Sequence, residues 1–442
     1  MPTSAFLSDL HARGLIHQCS DEPALHAHLA DPAGSPRNAY CGFDPTADSL
    51  TIGNLVPLMM LVRLARAGHR PVALLGGGTG LIGDPSGKSS ERELQTEDRV
   101  RANVESIRTI FSRIFANAGL PEPTLVNNLD WLGKLGYLEV LRDVGKFFSV
   151  NQMIVRDSVR SRLEGRDHGI SYTEFSYMIL QAFDYLHLHR TMNITLQMGG
   201  SDQWGNIVSG ADLIRRAAAH QFGGESPQSL SVQAHALTTP LITKSDGTKF
   251  GKTESGAIWL SPHRTSAYAY YQFWLNAADA DVERFLKTFT LVSVDDIAQT
   301  MSRHATDPGA RHPQRLLARE ATALVHGPAE RDRAESAAAA LFSGDIAALS
   351  RDTLLEVLAA APTTTHARSA LDGEGTKLLD LLATTSLAKS KSEARQFLGD
   401  GSISINGTKA TADAHITAAS LLHGSILALR RGKKNWHVCV FA

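Results

Sequence analysis

The sequence predicts an α/β fold in which a mostly parallel sheet carries helices on both faces, followed by a helical segment and a small α+β module. Three observations carry that expectation. Strand-like and helix-like patterns alternate up to about residue 235, the pattern from Thr265 to about Phe342 is helical throughout, and a compact lysine-bearing segment with its own turn signals closes the sequence. Length agrees, because 442 residues exceed what one hydrophobic core usually organises. A composition of 43% hydrophobic and 20% charged residues is that of an ordinary globular protein. Lysine and arginine total 44 against 45 acids, so the overall charge announces no nucleic-acid partner and local clusters must carry any such argument. Cys19, Cys41 and Cys439 are odd in number and far apart, which implies neither a disulfide framework nor a thiolate metal site and suits a reducing compartment. No uninterrupted apolar run is long enough to cross a bilayer, and the reading is a cytoplasmic protein with no membrane partner and no metal-ligand set.

Taken in order, Leu7 to Leu15 reads as a short helix ending at Gly14. A strand from Ala39 to Phe43 breaks at Asp44-Pro45 into a loop that leads to a helix opened by Thr51-Ile52-Gly53-Asn54. Such a handover offers unpaired backbone N–H groups and the positive end of a helix dipole, which suits phosphate, although many α/β proteins carry the same turn with no nucleotide. Val72 to Leu75 is a buried strand running into Gly76-Gly77-Gly78, either a phosphate cradle or a tight turn, and it lacks the Gly-Lys-Ser/Thr ending of a nucleotide-triphosphatase loop. Asp84 follows at the carboxyl edge of the sheet, where ligands of open α/β sheets bind. A helix from Glu97 to Ala118, a strand from Thr124 to Val126 and a helix from Trp131 to Val144 continue the alternation.

The helix from Ser171 to His189 is the most informative. Its apolar residues cover nearly every face, and Tyr177, Gln181 and Asp184 fall at i, i+4 and i+7, which places a hydroxyl, an amide and a carboxylate on one stripe. Buried polar groups need partners, so other side chains or a polar ligand must satisfy the three. Next, the strand Ile194 to Met198 ends in Gly199-Gly200, and Asp202 either caps the following helix or reaches a ligand. Beyond His235, Lys244 to Thr248 reads as a hairpin turn that presents Lys249 and Lys252 on a glycine-bearing loop, for a polyanion or for solvent. The stretch from about Gly344 to Thr376 is rich in Ala, Thr and Asp and reads as a linker with one helix at Asp352 to Ala359. In the last segment, Leu378 to Thr384 is a short helix, Ser390 to Glu393 is a capping box opening a second helix, and Ser402 to Ile405 is a strand before the turn Asn406-Gly407. Lys377, Lys389, Lys391, Arg395, Lys409, Arg430, Arg431, Lys433 and Lys434 give this module a basic face, either plainly solvated or fit for nucleic-acid backbone.

Together these stretches resemble the bacterial-type tyrosyl-tRNA synthetases, class I aminoacyl-tRNA synthetases. The match runs from about Asp9 to Lys434 and rests on YCGFDPTADSL, GLIGDPSGK, the Tyr177–Asp184 stripe, LQMGGSDQWGN, KFGKT, SKSEAR with INGTK, and LRRGKKN, in that order. The resemblance implies a Rossmann-type catalytic domain over residues 1–235, a lysine loop and helical anticodon-side domain over 236–343, a linker over 344–376 and an RNA-binding domain over 377–442. It implies that Tyr40 and Asp184 bond the phenolic hydroxyl of tyrosine, that Asp84, Tyr177 and Gln181 hold its α-ammonium, and that Gln203 sits near the reacting carboxylate. Cys41, Gly200 and Asp202 would meet the ATP ribose, Gly42, Asp44 and Gly53 would complete the ATP site, and Thr46, Lys249 and Lys252 would stabilise departing pyrophosphate. Lys88 and Arg92 would touch pyrophosphate or the tRNA acceptor end. ATP enters as a substrate with Mg²⁺, no organic cofactor is implied, and the partners are L-tyrosine, tRNA(Tyr) and a second copy of the chain.

One departure stands out. Where the family usually carries His-Ile-Gly-His, this chain has Thr51-Ile52-Gly53-Asn54. Asn54 keeps an N–H donor of similar reach, whereas Thr51 cannot place an imidazole near the γ-phosphate, so slow activation of the amino acid is expected. Two rival readings differ in class: an RNA-binding protein that kept the fold and lost catalysis, favoured only by Thr51, and a ligase for another aromatic amino acid, which Tyr40 with Asp184 opposes because tryptophan or phenylalanine leaves the carboxylate unsatisfied.

Overall fold

The computed structural model describes residues 3–84, 95–156, 159–160, 163, 170–221, 232–247, 250–253, 256–359, 361–432 and 435–442. Its chain parts into two compact units, Met1–Ser266 with Phe273–Pro328 and Ala267–Gln272 with Ala329–Ala442.

The first unit is built on a six-stranded sheet. Strands β1 (Gln18–Cys19), β2 (Asn38–Phe43), β3 (Arg70–Leu75), β4 (Thr124–Asn127), β5 (Ile194–Gly200) and β6 (His235–Thr239) lie in the order β1-β6-β5-β2-β3-β4. All neighbours are parallel except β1, which runs antiparallel on the edge beside β6. The chain leaves β2 for β3 on one side and reaches β5 on the other, so the order reverses beside β2 and opens a crevice beyond the carboxyl ends of β2 and β5, the place where such sheets bind ligands. Strands buried on both faces read as nearly unbroken apolar runs, which is why Val72 to Leu75 and Ile194 to Met198 are legible from sequence. Tyr40, Val72, Leu74, Tyr185, Leu186 and Ile214 pack in one core cluster, and the rings of Tyr40 and Tyr185 meet edge to face at 5.5 Å.

The expected helix from Trp131 to Val144 is not continuous. Helix Leu129–Leu132 stops at Gly133, and a new turn opens at Tyr137 and runs into a wider π-turn at Val140–Val144. Gly133 and Gly136 interrupt it, since glycine loses more backbone entropy in a helix than any other residue.

The chain from Phe273 to Pro328 belongs to the same unit as the sheet. Buried Arg63 donates to the carbonyls of Lys287 (3.0 Å), Thr288 (3.2 Å) and Thr290 (2.8 Å) at the end of helix Asp279–Phe289, and Arg13 donates to those of Lys287 and Val292. Arg113 likewise reaches the carbonyls of Val325 and Leu260, both at 2.7 Å. Guanidinium forks capping helix ends thus tie these helices into the first unit.

Among the histidines of this unit that burial keeps neutral, His28 and His326 are held so most strongly. Burial, with His235 beside it, pushes His28 down to about 4, and burial, with Arg113 beside it, pushes His326 down to about 3. An unfolded histidine binds its proton near 6.5, so the unfolded chain takes up protons first as pH falls. The contribution of these two histidines to folding stability is therefore full above about pH 6.5 and declines as pH drops toward 4 and then 3. Urea midpoints measured across that window should fall with acidity, and His28→Gln should flatten the upper part of the decline; a pH-independent midpoint contradicts this.

In the second unit, the stretch expected as a linker is instead structured. Residues 344–376 contain helix Arg351–Val357 and strand β7 (Thr363–His366), which pairs in parallel with β11 (Asn435–Phe441). Ile346, Leu354 and Leu358 are buried there against Ile426, Ala428, Trp436 and Val438. The sheet runs β9 (Thr408–Lys409), β8 (Ile403–Ile405), β10 (Ile426–Arg431), β11, β7. The turn between β8 and β9 places Asn406 at φ 47° and Gly407 at φ 92°, and a Cβ on Gly407 would lie 1.7 Å from the carbonyl oxygen of Gly344, so only glycine fits. Ser390 caps helix Lys391–Gly399 by accepting from the Glu393 amide.

Candidate active site

A cavity of about 560 Å³ opens at the carboxyl ends of the central strands, and nearly every candidate residue of the first unit lines it. Tyr40, Gly42, Asp44, Thr46, Thr51, Gly53 and Asn54 come from β2 and the turn after it, Asp84 from the end of the glycine-rich loop, Tyr177, Gln181 and Asp184 from helix Tyr172–Met192, and Gly200, Asp202 and Gln203 from the end of β5. Among the candidates whose side chains are described, the exception is Cys41. Side chains alternate along β2, so Tyr40 and Gly42 face the cavity while Cys41 is wholly buried on the other face, and its side chain does not line the cavity. Lys249, Lys88 and Arg92 lie outside the described residues, as do Lys433 and Lys434, and Lys252 is described only as the first residue of the short strand Lys252–Thr253.

At the deep end, Asp184 is 1% exposed and held from two sides. Asn128 Nδ2 donates to one carboxylate oxygen at 2.9 Å and Trp131 Nε1 to the other at 2.7 Å. Asn128 is itself fixed, accepting from the Gly78 amide at 2.7 Å and donating to Thr79 Oγ1 at 3.0 Å. Burial pushes the Asp184 carboxyl up to about 7, while its hydrogen bonds from Asn128 and Trp131 pull it back. Beside it the Tyr40 hydroxyl is raised well above the ordinary tyrosine value by burial and then by the Asp184 charge, and it has no hydrogen-bond partner among the described residues. Gln181 Oε1 and Gln197 Oε1, both from residues lining the same cavity, are likewise buried with no partner among the described residues. Three orphaned polar atoms in one pocket are costly unless something polar occupies it.

Toward the mouth, Tyr177 donates to Asp44 at 3.2 Å and Thr79 does so at the same distance. Gln203 donates to Asp84 at 2.7 Å and accepts from Asn206 at 3.3 Å. Burial raises Asp202, the Gln203 hydrogen bond lowers it, and Asp84 nearby raises it again. Asp202 sits in the short turn Ser201–Gln203 that leads into helix Trp204–Gln221 and lies on the cavity wall. At the tight turn of Gly76 and Gly77, a Cβ on Gly76 would sit 2.5 Å from Asp44 Oδ1 and Thr79 Oγ1, and one on Gly77 would sit 2.2 Å from Asn127 Oδ1, so neighbouring side chains leave room only for glycine.

Thr51 and Asn54 form a closed pair. The Thr51 amide and hydroxyl both donate to Asn54 Oδ1, at 3.0 and 2.9 Å, which leaves the Asn54 NH₂ as the donor of the pair. Thr51 also bridges to Trp259, and Ile52 donates to the Ile258 carbonyl at 2.9 Å. The lysine-loop segment is anchored at both ends. Buried Asp281 accepts from the Ser245 amide at 3.1 Å and from its hydroxyl at 3.0 Å, and Phe250 stacks on Phe289 with ring centres 5.2 Å apart.

On the terminal module, Lys389, Lys391 and Arg395 are exposed, although Lys391 pairs with Asp380 at 2.6 Å. Arg430 lies over the Trp436 ring at 5.0 Å, and Arg431 lies over Phe397 at 4.6 Å while donating to the Leu387 carbonyl at 2.6 Å. These two arginines are packing residues as well as charges.

Sequence reasoning passed over Asn128, Trp131, Thr79 and Gln197. Only Gln197 left a signal, a lone amide inside an otherwise apolar strand.

A family model for class I tRNA synthetases (W and Y) matches residues 33–343, and one for the tyrosine–tRNA ligase SYY-like C-terminal domain matches residues 356–439. A tyrosine–tRNA ligase of Dechloromonas aromatica (strain RCB) is 48% identical over 438 residues, covering 99% of both chains, and one of Aliivibrio salmonicida (strain LFI1238) is 46% identical over 441 residues with the same coverage. Among solved structures, a C-terminally truncated Aspergillus nidulans mitochondrial tyrosyl-tRNA synthetase superposes with a TM-score of 0.68 at 33% identity, covering 76% of this chain and 94% of its own.

Proposed function

The chain belongs to the class I tyrosine–tRNA ligases, and from that premise we propose how its residues divide the work. The enzyme joins tyrosine to tRNA at the expense of ATP. The deep end of the cavity takes the tyrosine side chain, with the phenolic hydroxyl between Tyr40 and Asp184. Tyr177, Gln181 and Asp84 hold the α-ammonium, and Gln203 orients the carboxylate. ATP, as its Mg²⁺ complex, lies toward the mouth against Gly42, Gly53, Gly200 and Asp202, with Asp44 bracing Tyr177. The observation that carries this reading is the pair of orphaned atoms, Tyr40 Oη and Gln181 Oε1, which a phenol and an ammonium would satisfy.

Chemistry then needs no protein nucleophile. The tyrosine carboxylate attacks the α-phosphate, pyrophosphate leaves, and the tyrosyl group passes from the adenylate to the 3′ end of tRNA(Tyr). The protein's part is alignment of the two reactants and stabilisation of charge that grows on the phosphates, through the Asn54 NH₂, Thr46, Lys249 and Lys252. Lys389, Lys391 and Arg395, with Lys433 and Lys434, would meet tRNA backbone. Equilibrium dialysis with labelled tyrosine tests the pocket: Tyr40→Phe and Gln181→Ala should each weaken binding by about tenfold, and an unchanged affinity in both would remove tyrosine from this cavity.

We further propose a homodimer in the cytoplasm. The first unit exposes a run of large apolar side chains, among them Tyr137 (62%), Leu138 (78%), Val155 (67%) and Tyr172 (63%), which is what a second copy would cover. Light scattering at micromolar concentration should give twice the chain mass, and Leu138→Asp should shift it toward the monomer; a monomeric wild type contradicts the proposal.

A further inference from the structure

We infer that His11, Glu22 and His26 form a binding site for a divalent transition-metal ion of the zinc class, apart from the cavity described above. Sequence reading found no metal-ligand set because the three residues come from two helices, Ala5–Arg13 and Glu22–His28, that the fold lays side by side. Their ligand atoms, two imidazole nitrogens and a carboxylate oxygen, all lie within 4.8 Å of one another. Glu22 and His26 are one helical turn apart on a shared face, with Glu22 Oε1 3.9 Å from His26 Nε2. His11 Nε2 is hydrogen-bonded to the same Glu22 oxygen, and the two imidazole rings lie parallel within 3° at a centroid separation of 6.2 Å.

The chemistry of the donor set is selective. Imidazole nitrogens with one carboxylate suit zinc, copper and nickel rather than calcium or magnesium, which take oxygen alone. Zinc binds such ligands at about 2.0–2.2 Å, which needs donor atoms roughly 3.4 Å apart in a tetrahedron, so the observed spacing closes with small side-chain adjustments. The supports are firm: Phe6, Leu7, Leu10 and Leu25 on the inner faces of the two helices are fully buried, and Asp21 caps the second helix by accepting from the Ala24 amide at 3.0 Å. The rim stays open, since the side chains of His11, Glu22 and His26 are 50%, 38% and 20% exposed, which leaves access for the ion and positions for water. Occupancy has a local cost. The Ser4 amide points at His26 Nδ1 from 3.2 Å, so ligation through Nε2 moves the His26 proton to Nδ1 and breaks that hydrogen bond.

The test is calorimetric titration of Zn²⁺ into the chelator-treated full-length enzyme, repeated with Co²⁺ and read by visible absorbance. With 18 histidines in the chain, other binding is expected, so the diagnostic quantity is the tightest equimolar component. That component should weaken by at least about tenfold, a loss seen even for outer-shell partners of metal sites, in His11→Ala, in His26→Ala and in Glu22→Gln. Amino-acid-dependent exchange of pyrophosphate into ATP should be unchanged in all three, and their metal-free melting curves show whether they are folded. Equal Zn²⁺ binding by the wild type and a folded His11→Ala/His26→Ala double variant overturns the site, and so does a wild type with no equimolar component.

Discussion

Asp184→Asn is expected to lower kcat/KM for tyrosine by about 10- to 100-fold, the worth of a hydrogen bond to a charged group, while leaving the use of phenylalanine nearly untouched. Tyrosine-specific synthetases as a class reject phenylalanine by about 10⁵, a value known for the family rather than calculated from this cavity, so the variant should lose a large part of that ratio. The amide is a poor replacement for local reasons as well. Asp184 accepts from Asn128 on one oxygen and from Trp131 on the other, and an asparagine can accept on only one side, setting two NH₂ groups against each other or against the indole. Parallel steady-state kinetics with both amino acids check the ratio, and an unchanged ratio contradicts the assignment.

The same carboxyl predicts a pH signature. With burial holding Asp184 up at about 7, its ionised form, the better acceptor for a phenolic hydroxyl, is lost as pH falls through 7. kcat/KM for tyrosine should therefore bend downward below about pH 7 in the wild type and lose that bend in Asp184→Asn. Stability runs the other way. A carboxyl whose folded value lies above its unfolded 3.8 stabilises the fold at low pH and loses that contribution as pH rises toward 7. The Asp184 contribution to wild-type stability should therefore shrink as pH rises from about 3.8 to 7, opposite in sign to that of His28 and His326.

Thr51→His is expected to raise the rate of tyrosyl-adenylate formation by up to about 10²-fold, since one added donor to the transition state is typically worth 10²–10³. In the present chain the Thr51 hydroxyl is committed to Asn54 Oδ1 at 2.9 Å and has no second proton to offer a phosphate. An imidazole at that position reaches further along the cavity wall that Thr51 already lines. Stopped-flow measurement of adenylate formation at saturating tyrosine and ATP separates this from binding, and a rate equal to or below the wild type sinks the idea.

Much of the site was legible because its residues obey local rules. The strand ending at Phe43, the stripe of Tyr177, Gln181 and Asp184, and the glycines closing β5 each follow from spacing within one element, and the cavity gathers them all. What escaped depends on contacts between distant elements. Asn128 and Trp131 stand where a strand gives way to a short helix, with no period to mark them, and matter only because helix Tyr172–Met192 brings Asp184 to them. The strand at Thr363–His366 is four residues long and finds its partner at Val438–Phe441, so an Ala- and Thr-rich stretch reads as linker until the pairing is seen. The catalytic unit extends to Pro328 because Arg13, Arg63 and Arg113 cap helix ends far along the chain, which no window of sequence reveals.

The central claim, that this cavity activates tyrosine and only tyrosine, is tested most directly by amino-acid-dependent exchange of radioactive pyrophosphate into ATP with tyrosine, phenylalanine and tryptophan in parallel. Exchange with tyrosine alone, abolished or sharply reduced in Asp184→Asn, is the predicted result. Exchange supported equally by phenylalanine, or by no amino acid at all, contradicts it.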